Sequence, residues 1–161
     1  MTLPPIALPY RLYFLYIEPL FALSGAYLPV FKPNEYLSIT VPQDVLYPSL
    51  VSPSLADQTV TALLMTHISS LYVFFAFNEG VVLRCTSSLK VWRALLLGCL
   101  LSDIGHLYAA STVTQSAIFW NPLHWGNNEW ANFGTLWLGA ILRVAFLCRV
   151  GVGQPFPSEK L

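Results

Sequence analysis

Four long stretches of the chain are almost continuously apolar, and each is long enough to cross a bilayer, which takes about 20 residues of helix. They cover residues 10–31, 58–84, 89–111 and 130–150. Only isolated charged positions interrupt them, as expected of membrane helices that pack against one another. The pattern predicts an all-α protein, an integral membrane four-helix bundle, in which residues 1–161 form a single transmembrane domain.

The connections between these spans differ in character. Residues 32–57 contain several prolines and the β-leaning piece 36–41, which together predict a structured loop that caps the bundle between the first two helices. A tight turn is expected at 85–88 and a longer connection, rich in Asn, Trp and Pro, at about 112–129. Pro19 lies within the first span and predicts a bend, provided that a neighbouring group satisfies the carbonyl that proline leaves free.

Composition supports a membrane class and excludes nucleic acid as a partner. The chain is 55% hydrophobic and only 10% charged, with a mean hydropathy of +0.58. Eight basic residues balance eight acidic ones, so no basic surface for nucleic acid is indicated. Cys85, Cys99 and Cys148 lack metal-ligand spacing and are interpreted as small buried hydrophobic residues, with neither a disulfide nor a zinc site.

The distribution of basic residues predicts the orientation, because Lys and Arg collect on the cytoplasmic side of short loops. The ends that share the N-terminal side carry Arg11, Arg84, Lys90, Arg93, Arg149 and Lys160. The opposite loops offer only Lys32, and the tryptophans of residues 120–130 suit that opposite interface. Both termini are therefore predicted to be cytosolic, and the first apolar segment is predicted to be retained rather than cleaved.

Charged side chains within the spans mark the candidate site. Each costs about 2.5–3.5 kcal/mol at membrane depth, so Glu18, Glu79, Asp103 and Arg143 are expected to face the bundle interior or a wet cavity. Helical rise places Glu18, Glu79 and Arg143 at one depth, and Asp103 with His106 farther from the cytosolic side. Two polar layers are predicted.

Asp103 and His106 form the primary candidate for catalysis. They lie three residues apart and so share one helix face, with Gly105 between them. A carboxylate beside an imidazole can orient its tautomer or exchange a proton with a substrate oxygen. The alternative is that both side chains only form hydrogen bonds to neighbouring helices.

The other interior charges have structural as well as catalytic interpretations. A buried arginine needs a carboxylate partner, so Arg143 is predicted to pair with Glu18 or Glu79 and to hold it in place. Glu18 could instead pair with Arg11, which lies on the same face. Tyr72 shares the face of Glu79, and aromatic rings around an acid suit an apolar substrate, a developing cation or ordinary packing.

The fourth span carries a polar face of its own. Asn132 lies eleven residues before Arg143, which is three turns, with Thr135 and Gly139 near the same stripe. Such a stripe indicates either close helix packing or the wall of a cavity. Glu129 stands at the start of this span and is predicted to cap the helix N-terminus.

The pieces of sequence that contain these residues resemble a group of small fungal four-helix membrane proteins. They are Leu12-Tyr-Phe-Leu-Tyr-Ile-Glu-Pro, Phe77-Asn-Glu-Gly-Val-Val-Leu-Arg, Ser102-Asp-Ile-Gly-His-Leu-Tyr and Trp130-Ala-Asn-Phe-Gly, with Arg143. Some members look like the membrane-bound epoxide hydrolases and cyclases of fungal polyketide and meroterpenoid clusters. More remotely, four helices with interior acids look like the sterol-isomerase and sigma-2-receptor type of fold.

The resemblance implies a membrane-bound epoxide hydrolase or cyclase that opens epoxides of a lipophilic natural product without a cofactor or metal. The implied catalytic residues are Asp103, His106, Glu79 and Glu18, and the implied substrate-binding residues are Asn132, Arg143, Trp130, Tyr72 and Asn78. Asp103 with His106 would handle the nucleophile, while Glu79 or Glu18 would donate the proton. The implied partners are the epoxide, membrane lipid and an upstream flavin monooxygenase, and the expected membrane is the endoplasmic reticulum.

Two other classes of function remain open at this stage. A terpene cyclase or sterol-isomerase-like enzyme would use the same proton donor on a carbon–carbon double bond. A non-catalytic lipid- or sterol-binding membrane protein would use the interior acids to hold a ligand. The common motifs of soluble hydrolases, nucleotide-binding proteins and metalloproteases are absent from the sequence.

Overall fold

The computed structural model describes residues 6–42 and 55–152. In this part of the chain five helices carry the architecture. They are α1 (Leu8–Phe31), α2 (Pro33–Thr40), α3 (Leu55–Gly80), α4 (Leu89–Val113) and α5 (Asn127–Leu147). Four of them, α1, α3, α4 and α5, are long and apolar enough to cross a membrane. The chain is therefore an all-α, integral membrane helical bundle, as the sequence predicted.

The prediction of a β-leaning loop after the first span was wrong over its first part. Residues 33–40 form the short helix α2, which begins with a proline in its first turn and has a Lys32–Glu35 ion pair of 2.9 Å at its start. Proline fits the first helical turn, where its missing N–H is not needed. The side chain of Tyr36 is buried, and burial against the bundle outweighs the β preference of the sequence. The rest of that loop, residues 43–54, lies outside the described residues.

Two of the membrane helices widen for one turn into π-helix. Tyr13–Ile17 is π-helical within α1, immediately before Glu18 and Pro19. Trp130–Gly134 is π-helical within α5 and contains Asn132. Single π turns inside α-helices are often found at functional sites, because the added residue redirects the side chains that follow. Both turns here contain or adjoin a residue that the sequence placed in the candidate site.

The carbonyl that Pro19 leaves free is satisfied from the neighbouring connection. A regular helix would pair the N–H of residue 19 with the oxygen of Leu15, and proline has no N–H. The Nη2 atom of Arg84 donates to that oxygen instead, and its guanidinium lies 4.4 Å from the centre of the Tyr16 ring. Arg84 is the last residue of a short 3₁₀ turn, Val82–Arg84, at the predicted tight connection. The expectation that a neighbour would compensate for Pro19 is confirmed.

An aromatic core closes the end of the bundle where the two ends of the described chain, near residues 7 and 151, meet. The ring of Phe146 contacts those of Tyr10 and Trp92, with centroids 5.5 Å and 5.9 Å apart, and Phe14 lies beside them. The backbone N–H of Ala7 donates to the oxygen of Gly151 at 3.1 Å, which joins the two ends of the described chain. These contacts fix α1, α4 and α5 relative to one another at this end of the bundle.

The opposite end is organised by the connection between α4 and α5. Trp125 donates from Nε1 to the oxygen of Ile118 at 2.8 Å, and Glu129 Oε2 accepts from the backbone N–H of Gly126 at 2.9 Å. The predicted capping role of Glu129 is confirmed. Asn128 donates to the Ser38 oxygen at 2.9 Å and so ties α2 to the start of α5.

The three cysteines are free thiols. Cys99 is buried, as predicted, but Cys85 and Cys148 are exposed. The interpretation of all three as buried hydrophobic residues was therefore wrong for the two that lie near helix ends.

Candidate functional site

Arg143 joins three carboxyl groups from three different helices. Its side chain is completely buried on α5. Nη1 donates to Asp103 Oδ2 at 2.6 Å, while Nη2 lies 2.9 Å from Glu79 Oε1 and 2.7 Å from Glu18 Oε1. We call these four residues the charge cluster. The predicted pairing of Arg143 with Glu18 or Glu79 is confirmed for both, and Asp103 is added to it.

The charge cluster contains more acid than base. If all three carboxyls were ionised, one guanidinium would leave an excess of two negative charges in the protein interior, which is costly. The carboxyls of Glu18 and Glu79 also lie within hydrogen-bonding reach of each other. Two carboxyl groups form such a bond only when one of them holds a proton. The geometry therefore favours a proton shared between Glu18 and Glu79.

Aromatic rings and a glycine enclose the guanidinium. Its central carbon lies 5.1 Å from the ring centre of Phe75 and 5.7 Å from that of Phe14, distances at which a cation is attracted to a ring face. Gly139, one turn before Arg143, leaves the space into which the charged groups fit. A Cβ atom there would stand 2.8 Å from Arg143 Nη1 and 2.9 Å from Glu18 Oε1.

Substitution of Gly139 by alanine is expected to lower the free energy of unfolding by about 1–3 kcal/mol, because the new methyl group displaces two ion-paired atoms. The matched control is Gly98→Ala in α4, where a Cβ atom meets nothing within 4 Å. That change should be neutral or slightly stabilising, since alanine favours helix over glycine. Thermal unfolding in detergent measures both variants, and equal midpoints would contradict the close packing at Gly139.

A cavity of about 550 Å³ opens directly above the charge cluster. Along α1 its lining includes Tyr13 and then extends from Glu18 to Leu28, which is about 15 Å of helix. Most of its wall is apolar, with the rings of Phe21 and Phe75 among the lining side chains. An apolar cavity with a few converging polar groups is the usual form of a small-molecule site.

The structure separates the predicted site residues into three groups. Five of them line the cavity, namely Glu18, Asp103, His106, Tyr72 and Asn132. Glu79 and Arg143 are completely buried and lie outside the cavity lining, where they hold the residues that do line it. Asn78 and Trp130 lie away from the cavity: Asn78 donates to the Phe74 oxygen of its own helix, and Trp130 is exposed and packs on Trp125.

The two predicted polar layers are arranged differently from the prediction. Asp103 belongs to the charge cluster rather than to a separate layer, because the long arginine side chain reaches it from α5. In the described part of the chain no hydrogen bond joins Asp103 to His106. The His106 ring instead lies 6.3 Å from that of Tyr72 on α3. Asp103 and His106 nevertheless line the same cavity, in agreement with the prediction that they share one helix face.

Among the cavity residues that the sequence did not single out, three shape the polar parts of its wall. Tyr13 lines it, and its hydroxyl would stand 3.3 Å from a Cβ at position 139. Gly25 admits the Tyr72 ring, since a Cβ there would lie 2.9 Å from Tyr72 Cε1. Tyr36 of α2 lines the far end and hydrogen-bonds to Tyr72. Burial raises the pKa of Tyr36 far above its usual range, so its hydroxyl keeps its proton.

Fold and site together define the class of protein: an integral membrane four-helix bundle whose interior carboxyls, held by one arginine, form the floor of an apolar cavity. The chain belongs to the family described as Domain of unknown function (DUF7704), which matches residues 2–153. No curated protein and no solved structure matches the chain. Within the described residues, no cluster of three or more side chains is suited to hold a metal ion.

Proposed function

We propose that the protein is a membrane-bound epoxide hydrolase or cyclase, which opens epoxides of a lipophilic natural product by acid–base catalysis. One observation carries the proposal: Glu18 and Asp103, both bound by the buried Arg143, line an apolar cavity within the membrane-spanning bundle. Opening of an epoxide requires an acid at the oxygen and a base at the nucleophile. The choice of epoxides among acid–base substrates rests on the resemblance to small fungal membrane proteins.

Glu18 suits the role of the acid. It faces the cavity and shares a contact with Glu79, which provides a proton between the two carboxyls. When Glu18 gives this proton to the epoxide oxygen, the carbon–oxygen bond breaks and an alcohol forms. Glu79 has no place in the cavity lining, so its part is to hold Glu18 and the shared proton.

Asp103 suits the role of the base. Arg143 binds its Oδ2 atom, which leaves Oδ1 to accept a hydrogen bond from a water or substrate hydroxyl in the cavity. As that oxygen attacks the opened carbon, its proton passes to Asp103, and transfer back to Glu18 restores the starting state. Water as nucleophile gives a diol, and an internal hydroxyl gives a cyclic ether with one alcohol. The proton balance is zero in either case.

The fold favours a substrate delivered from the membrane. The cavity lies among helices that are long and apolar enough to span a bilayer, and most of its wall is apolar. We propose that both termini are cytosolic, on the basis of the basic residues, and that the membrane is the endoplasmic reticulum, the default for such a protein in a eukaryotic host. An upstream flavin monooxygenase in the same membrane would supply the epoxide.

A related candidate is a terpene cyclase or sterol-isomerase-like enzyme, in which the same acid protonates a carbon–carbon double bond. The observation that favours it is the set of ring faces in the cavity wall, Phe21, Tyr72 and Phe75, which would stabilise a developing cation. It differs from epoxide opening in the substrate, while Glu18 keeps the same role.

Conversion of a defined epoxide tests the proposal. Membranes that contain the wild type, Asp103→Asn or the control Glu35→Gln would be incubated with a polyene-derived polyepoxide, and separately with a terpenoid epoxide. The incubations would be run in ¹⁸O-labelled water and followed by mass spectrometry. Glu35 is an exposed carboxylate paired with Lys32 and is not among the residues that line the cavity, so Glu35→Gln makes the same kind of chemical change outside the lining.

Wild type and Glu35→Gln should convert an epoxide, and Asp103→Asn should be slower by at least about 100-fold while eluting as a folded protein in detergent. Incorporated ¹⁸O identifies hydrolysis, and isomerisation without it identifies cyclisation. If folded wild-type protein converts neither epoxide but retains the ligand saturably, the protein is a lipid- or sterol-binding protein and not an enzyme of this class. Conversion that survives in Asp103→Asn would remove Asp103 from the mechanism.

A further inference from the structure

We infer that the ligand of this cavity carries a second oxygen function, a hydroxyl or carbonyl, which is bound by Tyr72, Tyr36 and His106 about one to two helical turns from the charge cluster. The inference rests on the proposed function for the reactive end of the substrate, and it extends that function to the other end. We call these three residues the tyrosine–histidine layer. All three line the cavity, and none is part of the charge cluster.

Two helices independently place the tyrosine–histidine layer at the same distance from the charge cluster. On α3, Tyr72 precedes Glu79 by seven residues, which is about 10 Å of helix. On α1, Gly25 follows Glu18 by seven residues, and Gly25 is the position against which the Tyr72 ring packs. His106 lies three residues beyond Asp103 on α4 and so stands between the two levels.

Among residues 6–42 and 55–152, the Tyr36–Tyr72 pair has one hydrogen-bond donor without an acceptor. Each hydroxyl can donate once and accept twice, and the bond between the two uses only one of the two protons. In the described part of the chain neither hydroxyl donates to a backbone carbonyl or a carboxylate. An unused O–H in an apolar cavity costs free energy, which a ligand oxygen would recover.

The position of the Tyr72 ring depends on the absence of a side chain at position 25. Because a Cβ atom there would stand 2.9–3.0 Å from three ring carbons, only glycine allows the ring its present place. Tyr36 approaches from α2, the short helix that Asn128 anchors to α5. Two helices, α2 and α3, therefore present hydroxyl groups to one region of an otherwise apolar wall, and Gly25 of α1 leaves the space for one of the rings.

The combination describes the substrate in chemical terms. It is an elongated lipophile with the reactive group at one end, near Glu18 and Asp103. Its second oxygen lies about 5–10 Å away, the separation of the two levels along the helices. Apolar carbon fills the space between, against Phe21 and Ala22 of α1 and Phe75 of α3, which lie between the two levels on their helices. A pure hydrocarbon epoxide fills the same volume and leaves the tyrosine hydroxyl without a partner.

A matched pair of ligands tests this inference. Both are long-chain epoxides of equal length, and one bears a hydroxyl about six to eight carbons from the epoxide, which spans the estimated separation. Dissociation constants would be measured for purified wild type and Tyr72→Phe in detergent, and conversion would be followed in the same samples. Phenylalanine retains the ring against Gly25 and removes only the hydroxyl.

Wild type should bind the hydroxylated epoxide about tenfold more tightly than its partner, and Tyr72→Phe should abolish most of that ratio. Equal affinities in wild type, or a ratio that survives in Tyr72→Phe, would overturn the inference. If the ratio of affinities is as expected but neither epoxide is converted, the proposed epoxide chemistry is wrong, while the inference of a second oxygen-binding site is supported. Gly25→Ala should reduce the same ratio of affinities, because the new methyl group displaces the Tyr72 ring while the Tyr72 hydroxyl is still present.

Discussion

Replacement of Arg143 by methionine is expected to lower the free energy of unfolding by about 3–5 kcal/mol. The change removes the only cation that contacts Glu18, Glu79 and Asp103 in the described chain, and so leaves three buried carboxyls without a cationic partner. Methionine has a comparable apolar length and fills most of the volume, which limits the contribution of a cavity. Unfolding would be followed in mixed micelles of increasing denaturing-detergent fraction.

Two further variants show whether unpaired charge causes this loss. Arg93→Met is the matched control, since Arg93 is half-buried in α4 and its one hydrogen bond within the described residues goes to the Leu147 oxygen at 3.4 Å. Arg93→Met should lower the free energy of unfolding far less than Arg143→Met. Addition of Glu79→Gln to Arg143→Met should recover part of the stability, because it removes one stranded carboxyl. If Arg143→Met proves as stable as Arg93→Met, the charge cluster does not hold the helices together.

Glu18→Gln and Glu79→Gln should have very different effects on turnover although the two carboxyls touch. Glu18 lines the cavity and Glu79 does not, so only Glu18 can reach a substrate oxygen. We expect kcat for the epoxide to fall by at least about 100-fold in Glu18→Gln and by about tenfold or less in Glu79→Gln. Both variants should stay folded, since each relieves the excess of negative charge around Arg143.

The comparison requires kcat and KM for each variant, together with the unfolding midpoint as a control for structure. A change confined to kcat in Glu18→Gln fits a proton donor, whereas a rise in KM alone would make Glu18 a binding residue. Equal losses of kcat in both variants would show that the proton on the reacting oxygen comes from Glu79, or from the pair acting as one group.

The membrane spans could be predicted from the sequence because length and hydropathy alone decide them. Leu89–Val113, for example, extends the predicted 89–111 by a single half-turn. The helix α2 could not be predicted in this way. Its sequence favours strand locally, and the contact that decides the matter, burial of Tyr36 beside Tyr72, joins residues far apart in the chain.

The composition of the charge cluster was partly predictable. A buried arginine demands carboxylates, so the pairing with Glu18 and Glu79 followed from the cost of isolated charge. The depth estimate failed for Asp103, because it counted backbone rise and ignored the length of the arginine side chain. The roles of Gly25 and Tyr13 depend on which faces of neighbouring helices meet, and the sequence of a single helix does not show which faces these are.

The π turn at Tyr13–Ile17 makes the number of residues in α1 as important as their identity. A π turn is an α-helix with one residue added, and its removal would rotate everything before it by about 100° relative to everything after it. Tyr10 and Phe14, which pack into the aromatic core, would then no longer share a register with Glu18 beneath the cavity. Deletion of Ile17, whose side chain is exposed, would keep the side chains of the aromatic core and of the charge cluster and would still rotate the two groups relative to each other. The spacing between Phe14 and Glu18 is thus a constraint that no single substitution would reveal.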